Sequence, residues 1–230
     1  MKKTFLSREK SHPRSRGFTL VELLVVISII VILLSAGALG VRNLTSGKGT
    51  AAAVSNCEAI FSEARTTAVG IGTNTRVLID VNDPTDRGSY LRKLVVAVEG
   101  IDPTTNRPNG QWSMSSRGYI LPDNVYFSKT YSVASGANNL TESTVRFTNL
   151  AANNEANNRR YLAYEFNGQG ICRTPGAKFI IGSGTRQGSQ EPQTQGKTLD
   201  FGGFAIWTNG STSTLRSPTQ MGLPATVKNF

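Results

Sequence analysis

The segment that most constrains this chain is an apolar run near its N-terminus, from Phe18 to Val41. Glu22 is its only charged residue. At about 1.5 Å per residue, a helix over 18–41 is roughly 36 Å long, enough to cross a hydrocarbon core of roughly 30 Å. The run therefore predicts a membrane helix. A carboxylate inside such a helix costs about 3 kcal/mol or more at mid-membrane, so it marks a functional group with a cationic partner.

The residues before the run indicate where that cation comes from. Residues 1–17 carry six Lys or Arg against Glu9, which predicts that this end stays on the cytoplasmic side. If the chain is cut between Gly17 and Phe18, Phe18 acquires a free amine and Glu22 becomes the fifth residue. The amine of one copy then neutralises Glu22 of its neighbour when helices stack with a stagger.

The basic leader, the segment Gly-Phe-Thr-Leu-Val-Glu at 17–22 and the apolar helix resemble the class III signal of type IV prepilins and type II secretion pseudopilins. The resemblance covers residues 14–41. It implies that a prepilin peptidase cuts after Gly17 and methylates the amine of Phe18, and that Glu22 serves assembly with other pilin subunits. It also implies a single-pass protein of the inner membrane with its globular domain in the periplasm, and a filament after assembly. An ordinary anchor with a stray Glu is the alternative.

Composition describes the part that remains after the cut. The leader holds about half of the formal charge of +10, so the mature chain is only moderately basic. A charged fraction of 17% with 23 glycines favours a β-rich domain outside the cytoplasm over a helical one. The only histidine, His12, lies in the leader, which removes histidine-based nucleophile activation from the mature protein. We therefore expect no enzyme activity and no cofactor.

A second helical segment follows the apolar run. From Ala51 to about Gly70 the spacing predicts a helix with one apolar stripe, formed by Val54, Cys57, Phe61, Ala64 and Ala68. The predicted division is a leader at 1–17, an assembly half of the helix at 18–41, an amphipathic half at 42–72 and a β-rich domain at 73–230. The predicted fold class is α+β, with a long N-terminal helix packed on an antiparallel sheet.

The rest of the chain alternates between short apolar runs and turn-forming residues. The predicted strands are 76–81, 91–98, 118–121, 125–128, 144–148, 161–166, 177–181 and 199–207. Residues 101–110 predict a loop because they are rich in Pro and Asn, and residues 182–197 predict a mobile loop because they hold almost no apolar residue. Both Gly168–Gly170 and Gly182–Thr185 predict hairpin turns.

This order of elements is similar to that of GspH/FimT-type minor pseudopilins. Residues 62–81 resemble the end of the stem and the first strand of that group, and residues 121–127 and 163–170 resemble its Leu-Pro and Phe-x-x-x-Gly segments. The segments 84–110 and 182–197 depart from its pattern.

Two kinds of site remain open in the chain after the apolar run. Cys57 and Cys172 could form a disulfide outside the cytoplasm, or could be two buried thiols. Asp80, Asn82, Asp83 and Asp86 offer clustered oxygen ligands for calcium, but the glycine and glutamate of a helix–loop–helix calcium site are missing. Plain turn formation is the alternative, and we expect no metal there.

Basic residues raise the alternative of DNA binding. Arg173, Lys178, Arg186, Lys197 and Arg216 fall late in the chain, and Arg159-Arg160-Tyr161 is the nearest basic-aromatic cluster. Some FimT-type pilins bind DNA through a Gly-Arg-x-Arg segment, which this chain lacks. We expect solvated surface charge and no DNA partner.

The sequence thus predicts a minor subunit of a type II secretion pseudopilus. A minor pilin of a type IV pilus, including its DNA-uptake version, is the alternative within the same family. The other alternative is a secreted β domain cut by signal peptidase after Ala38, since Ser35–Ala38 is a small-x-small site behind an apolar core. Glu22 would then interrupt the apolar core for no reason.

Overall fold

A computed structural model describes residues 20–132, 140–194 and 200–227, without the side chains of residues 32–48. The chain divides into two compact units, Met1–Asn43 and Leu44–Phe230. One helix, α1 (Leu20–Ile71), begins in the first unit and ends in the second. Within the part of the chain so described, no helix has both the length and the apolar character that crossing a membrane requires.

Within the described residues of the second unit, eleven strands and one short helix follow α1. The strands are β1 (Thr75–Asp80), β2 (Lys93–Ile101), β3 (Pro108–Met114), β4 (Tyr119–Ile120), β5 (Val125–Phe127), β6 (Thr141–Val145), β7 (Arg159–Phe166), β8 (Ala177–Thr185), β9 (Gln193–Thr194), β10 (Phe201–Ile206) and β11 (Thr212–Leu215), and the helix is α2 (Pro218–Met221).

The strands form two antiparallel sheets. The first has the order β3-β2-β1-β7-β6, with β4 also pairing with β2. The second has the order β11-β10-β8-β5, with β9 also pairing with β8. A helix followed by antiparallel sheets confirms the predicted α+β class.

The apolar stripe of α1 is the centre of the main core. All five predicted residues of the stripe are buried, from Val54 to Ala68. Phe61 makes edge-to-face contacts with four aromatic rings, whose centroids lie 5.1 to 6.3 Å away. The four rings come from both sheets: Tyr164, Phe166, Phe179 and Phe204. Helical periodicity therefore identified the surface on which both sheets pack.

A smaller core lies on the opposite face of the first sheet. Leu78, Val95 and Tyr161 are fully buried there, and Phe147 from the segment after β6 packs among them. The ring centroids of Phe147 and Tyr161 are 6.1 Å apart. This smaller core covers only part of that face. The charged side chains described below lie on the same face of the sheet.

Two predicted loops are wrong in part. β3 begins at Pro108, inside the Pro- and Asn-rich segment, because proline is tolerated at the first residue of an edge strand. The predicted loop at 182–197 contains the end of β8 and all of β9, while residues 195–197 lie outside the described residues. Gly182 is not in a turn but pairs with Tyr126 and with Phe201. Backbone hydrogen bonds to the strands on both sides, β5 and β10, hold this segment in a strand although its composition favours a loop.

The turn at Gly168–Gly170 is confirmed. The backbone N–H of Asn167 donates to the carbonyl of Ile171 at 2.9 Å, and Phe166 pairs with Cys172 across the turn. Gly170 has a φ of 74°, which favours glycine.

Candidate functional site: the N-terminal carboxylate and the charged face of the β domain

Glu22 lies in the first turn of α1. A carboxylate is favourable there because the unpaired N–H groups of a helix start carry partial positive charge. Around it, the large apolar side chains from Leu20 to Val31 are all exposed, from 81% at Leu20 and 70% at Val21 to about half in the others. An apolar surface of this extent marks contact with protein or lipid. Gly17 and Phe18, the predicted cleavage and methylation residues, lie outside the described residues.

Among the four calcium candidates, Asp80 and Asp86 are brought together by Arg159. Asp80 ends β1 and is completely buried. The Nε atom of Arg159 lies 2.9 Å from Asp80 Oδ2, and its Nη2 atom lies 2.8 Å from Asp86 Oδ2. A guanidinium therefore occupies the position between the two carboxylates that a calcium ion would need.

The other two calcium candidates take part in turns. Asp83 Oδ1 accepts from the backbone N–H of Thr85 at 2.7 Å, and Asn82 Oδ1 accepts from the N–H of Arg160 at 3.3 Å. Across the described residues, no group of three or more His, Cys, Asp or Glu side chains is placed to hold a metal ion.

The pKa values of the two aspartates move in opposite directions. Burial raises the pKa of Asp80, although Arg159 opposes this shift. At Asp86, burial also favours the neutral form, but hydrogen bonds from Arg159, Ser89 and Gly88 outweigh it and lower the pKa. Asp86 therefore ionises more readily in the folded protein than in the unfolded chain.

A pH dependence follows from Asp86. A lowered folded pKa contributes stability above the unfolded value of 3.8, and this contribution is lost as the pH falls through the folded pKa. We expect Asp86→Asn to lower the free energy of unfolding at pH 7, with a deficit that shrinks below about pH 4. Urea unfolding of both proteins in detergent between pH 7 and 3 measures this. The control is Asp123→Asn, whose carboxylate is 92% exposed. An Asp86→Asn deficit independent of pH would contradict the assignment.

Comparison with family models decides how the N-terminal segment is interpreted. Residues 12–38 match the model described as the prokaryotic N-terminal methylation motif. The chain carries a pilin-type class III signal. The matched range contains Gly17, Phe18 and Glu22. This motif supports a type IV pilin-like or pseudopilin protein, and it implies processing by prepilin peptidase, assembly with pilin subunits and a membrane-anchored N-terminal helix.

Comparison with curated proteins and with solved structures gave no match. The β domain behind the pilin-type signal is therefore interpreted from its own geometry.

Both cysteines of this domain lie in the core. Cys57 and Cys172 are buried and free. Burial raises the pKa of both thiols, so both are protonated at neutral pH and react slowly. A disulfide between them stays a prediction.

The basic-aromatic cluster does not form an open cationic surface. Arg159 forms ion pairs with Asp80 and Asp86, and Tyr161 is completely buried. Arg160 pairs with Glu142 at 3.2 Å. The late basic residues are spread over separate elements: Arg173 contacts Glu165, Lys178 donates to the carbonyl of Gln220, Arg186 stacks on Tyr90 and Arg216 is exposed. Lys197 lies outside the described residues.

The sequence missed one further cluster on this face. Arg76 of β1 lies directly opposite Glu165 of β7, and its guanidinium stacks over the ring of Trp112 at 4.1 Å. The only local indication was an arginine at the start of an apolar strand, at a position that alternates away from the main core.

Proposed function

We propose that this chain is a minor pilin-like subunit of a type II secretion pseudopilus. The observation that carries the proposal is the methylation motif at residues 12–38, which joins a basic leader to an apolar helix with one carboxylate. The exposed apolar surface from Leu20 to Val31 supports it, since such a surface needs lipid or other helices around it.

In this proposal, prepilin peptidase cuts after Gly17 and methylates the amine of Phe18. The mature subunit waits in the inner membrane as a single-pass protein, with its β domain in the periplasm. During assembly, the Phe18 amine of one subunit neutralises Glu22 of its neighbour, so the two charges enter the apolar filament core as a pair. One heterologous contact, repeated with a fixed stagger, generates an open helical array.

The β domain has a binding or structural role in this proposal and performs no catalysis. The mature chain has no histidine, and both of its thiols are protonated in the core. The arginines of the basic-aromatic cluster face carboxylates, which argues against a DNA-binding surface at that place.

A minor pilin of a type IV pilus is the second candidate, because the same motif serves both machines. The test is deletion of the chain in its own host, followed by assays of secreted enzymes and of surface pili. Loss of secretion with normal piliation, restored by the intact gene, is the expected result. Loss of pili with normal secretion would assign the subunit to a type IV pilus instead.

A further inference from the structure

A small cavity opens on the outer face of the first sheet, where the edge of β7 is only partly covered. β6 begins at Thr141, opposite Ala163. Two residues further along β7, the N–H of Arg173 donates to the carbonyl of Glu165 at 2.8 Å. The gap between these two neighbours of β7 is a cavity of about 220 Å³. Ala163 forms part of its wall, and its small side chain leaves the space open.

Two guanidinium groups are held at this cavity by one carboxylate. Arg76 Nε lies 2.8 Å from Glu165 Oε2, and Arg173 Nη1 lies 3.2 Å from Glu165 Oε1. The ring of Trp112 stacks against the Arg76 guanidinium and holds its plane. In the hydrogen bonds that the structure describes, each arginine gives one nitrogen to Glu165, which leaves N–H groups for another acceptor. Both groups are therefore oriented before any ligand arrives.

A buried hydroxyl without a partner in the described structure lies in the wall of the cavity. Ser143 Oγ is buried and makes no hydrogen bond in the described structure. Its residue lines the cavity together with Thr141 and Thr174. Buried polar atoms are nearly always paired, so an unpaired hydroxyl in the wall of this cavity indicates a missing acceptor.

Charge and size limit what that acceptor is. Two arginines and one glutamate leave one positive charge, which matches a single carboxylate better than a phosphate monoester of charge near −2. The cavity is smaller than a pocket for a drug-sized molecule, so it accepts a group the size of an acidic side chain. We propose that Arg76, Arg173 and Ser143 bind one carboxylate group, from an acidic protein side chain or from a small free acid.

The test uses the fluorescence of Trp112 in the full mature chain in detergent. The chain has two tryptophans, so Trp207→Phe leaves Trp112 as the only reporter. The probes are propionate, inorganic phosphate, the peptide acetyl-Gly-Glu-Gly-amide and the same peptide with Gln. We expect a saturable change with a carboxylate probe and none with the Gln peptide. Binding of both carboxylate probes supports a free acid, and binding of the Glu peptide alone supports a protein side chain.

Variants in the same background show whether the arginines carry the binding. Arg173→Gln, at a side chain that is 59% exposed, is expected to weaken binding about tenfold without changing the melting temperature. Arg173→Lys keeps the positive charge but lacks the planar guanidinium, so its affinity should lie between that of the protein with Arg173 and that of Arg173→Gln. Arg117→Gln removes the same charge at an exposed site outside the cavity. The proposal is overturned by absence of saturation, tighter binding of phosphate, equal binding of the Gln peptide, or equal losses in Arg117→Gln and Arg173→Gln.

Discussion

Replacing Glu22 with Ala is expected to prevent the subunit from entering filaments and to leave its insertion into the membrane intact. Insertion needs only the apolar run, which becomes more apolar in the variant. Assembly without Glu22 would bury the Phe18 ammonium without its partner, at a cost of about 3 kcal/mol, which corresponds to a loss of incorporation of about 100-fold.

The measurement compares the amount of the subunit in sheared filaments with the amount in the membrane fraction. Glu63→Ala is the matched control, because it removes an exposed carboxylate from α1 outside the methylation motif. Normal incorporation of Glu22→Ala would exclude pairing between Glu22 and the Phe18 amine.

Replacing Arg159 with Ala destabilises the β domain by about 3 to 5 kcal/mol. The reason is that Asp80 is completely buried and loses the cation 2.9 Å away. Asp86 loses its contact with Arg159 in the same variant, which removes one contact between β7 and the segment that joins β1 to β2. Urea unfolding at pH 7 in detergent, followed by circular dichroism, measures the loss.

Two further variants show whether the loss in Arg159→Ala comes from leaving Asp80 buried without its cation or only from removing an arginine contact. Arg160→Ala removes a neighbouring arginine that is 55% exposed and, among the described residues, pairs with Glu142 and Asn82, so it costs at most about 1 kcal/mol. Adding Asp80→Asn to Arg159→Ala removes the unpaired charge and should restore part of the loss. Equal losses for Arg159→Ala and Arg160→Ala, or no recovery in the double variant, would show that the ion pair does not stabilise the fold.

The sequence predicted the elements whose local pattern agrees with their final surroundings. The stripe from Val54 to Ala68 repeats with helical spacing and is buried as a unit. β1 and β2 are rich in β-branched residues and lie inside the first sheet, where that composition packs well. The end of β8 could not be predicted, because its glycine and polar residues are held by ladder bonds to β5 and β10, which are distant in sequence. β9 then pairs with this end of β8.

The candidate sites divide in the same way. The methylation motif is contiguous, so its residues could be identified from sequence alone. Arg159 lies 73 residues from Asp86, and Arg76 lies 89 residues from Glu165. Such pairs follow from the strand order β2-β1-β7, which sequence patterns do not specify. The sequence thus showed four clustered oxygen ligands, but not the arginine that lies between two of them.

The most direct test of a pilin-type subunit is the mass of its mature N-terminal peptide, from cells with and without prepilin peptidase. We predict a chain that begins with N-methylated Phe18 and is replaced by the unprocessed Met1 form when the peptidase is absent. A mature chain that begins at Leu39 in both strains would contradict the account, because Glu22 would then be removed with the signal and could take no part in assembly.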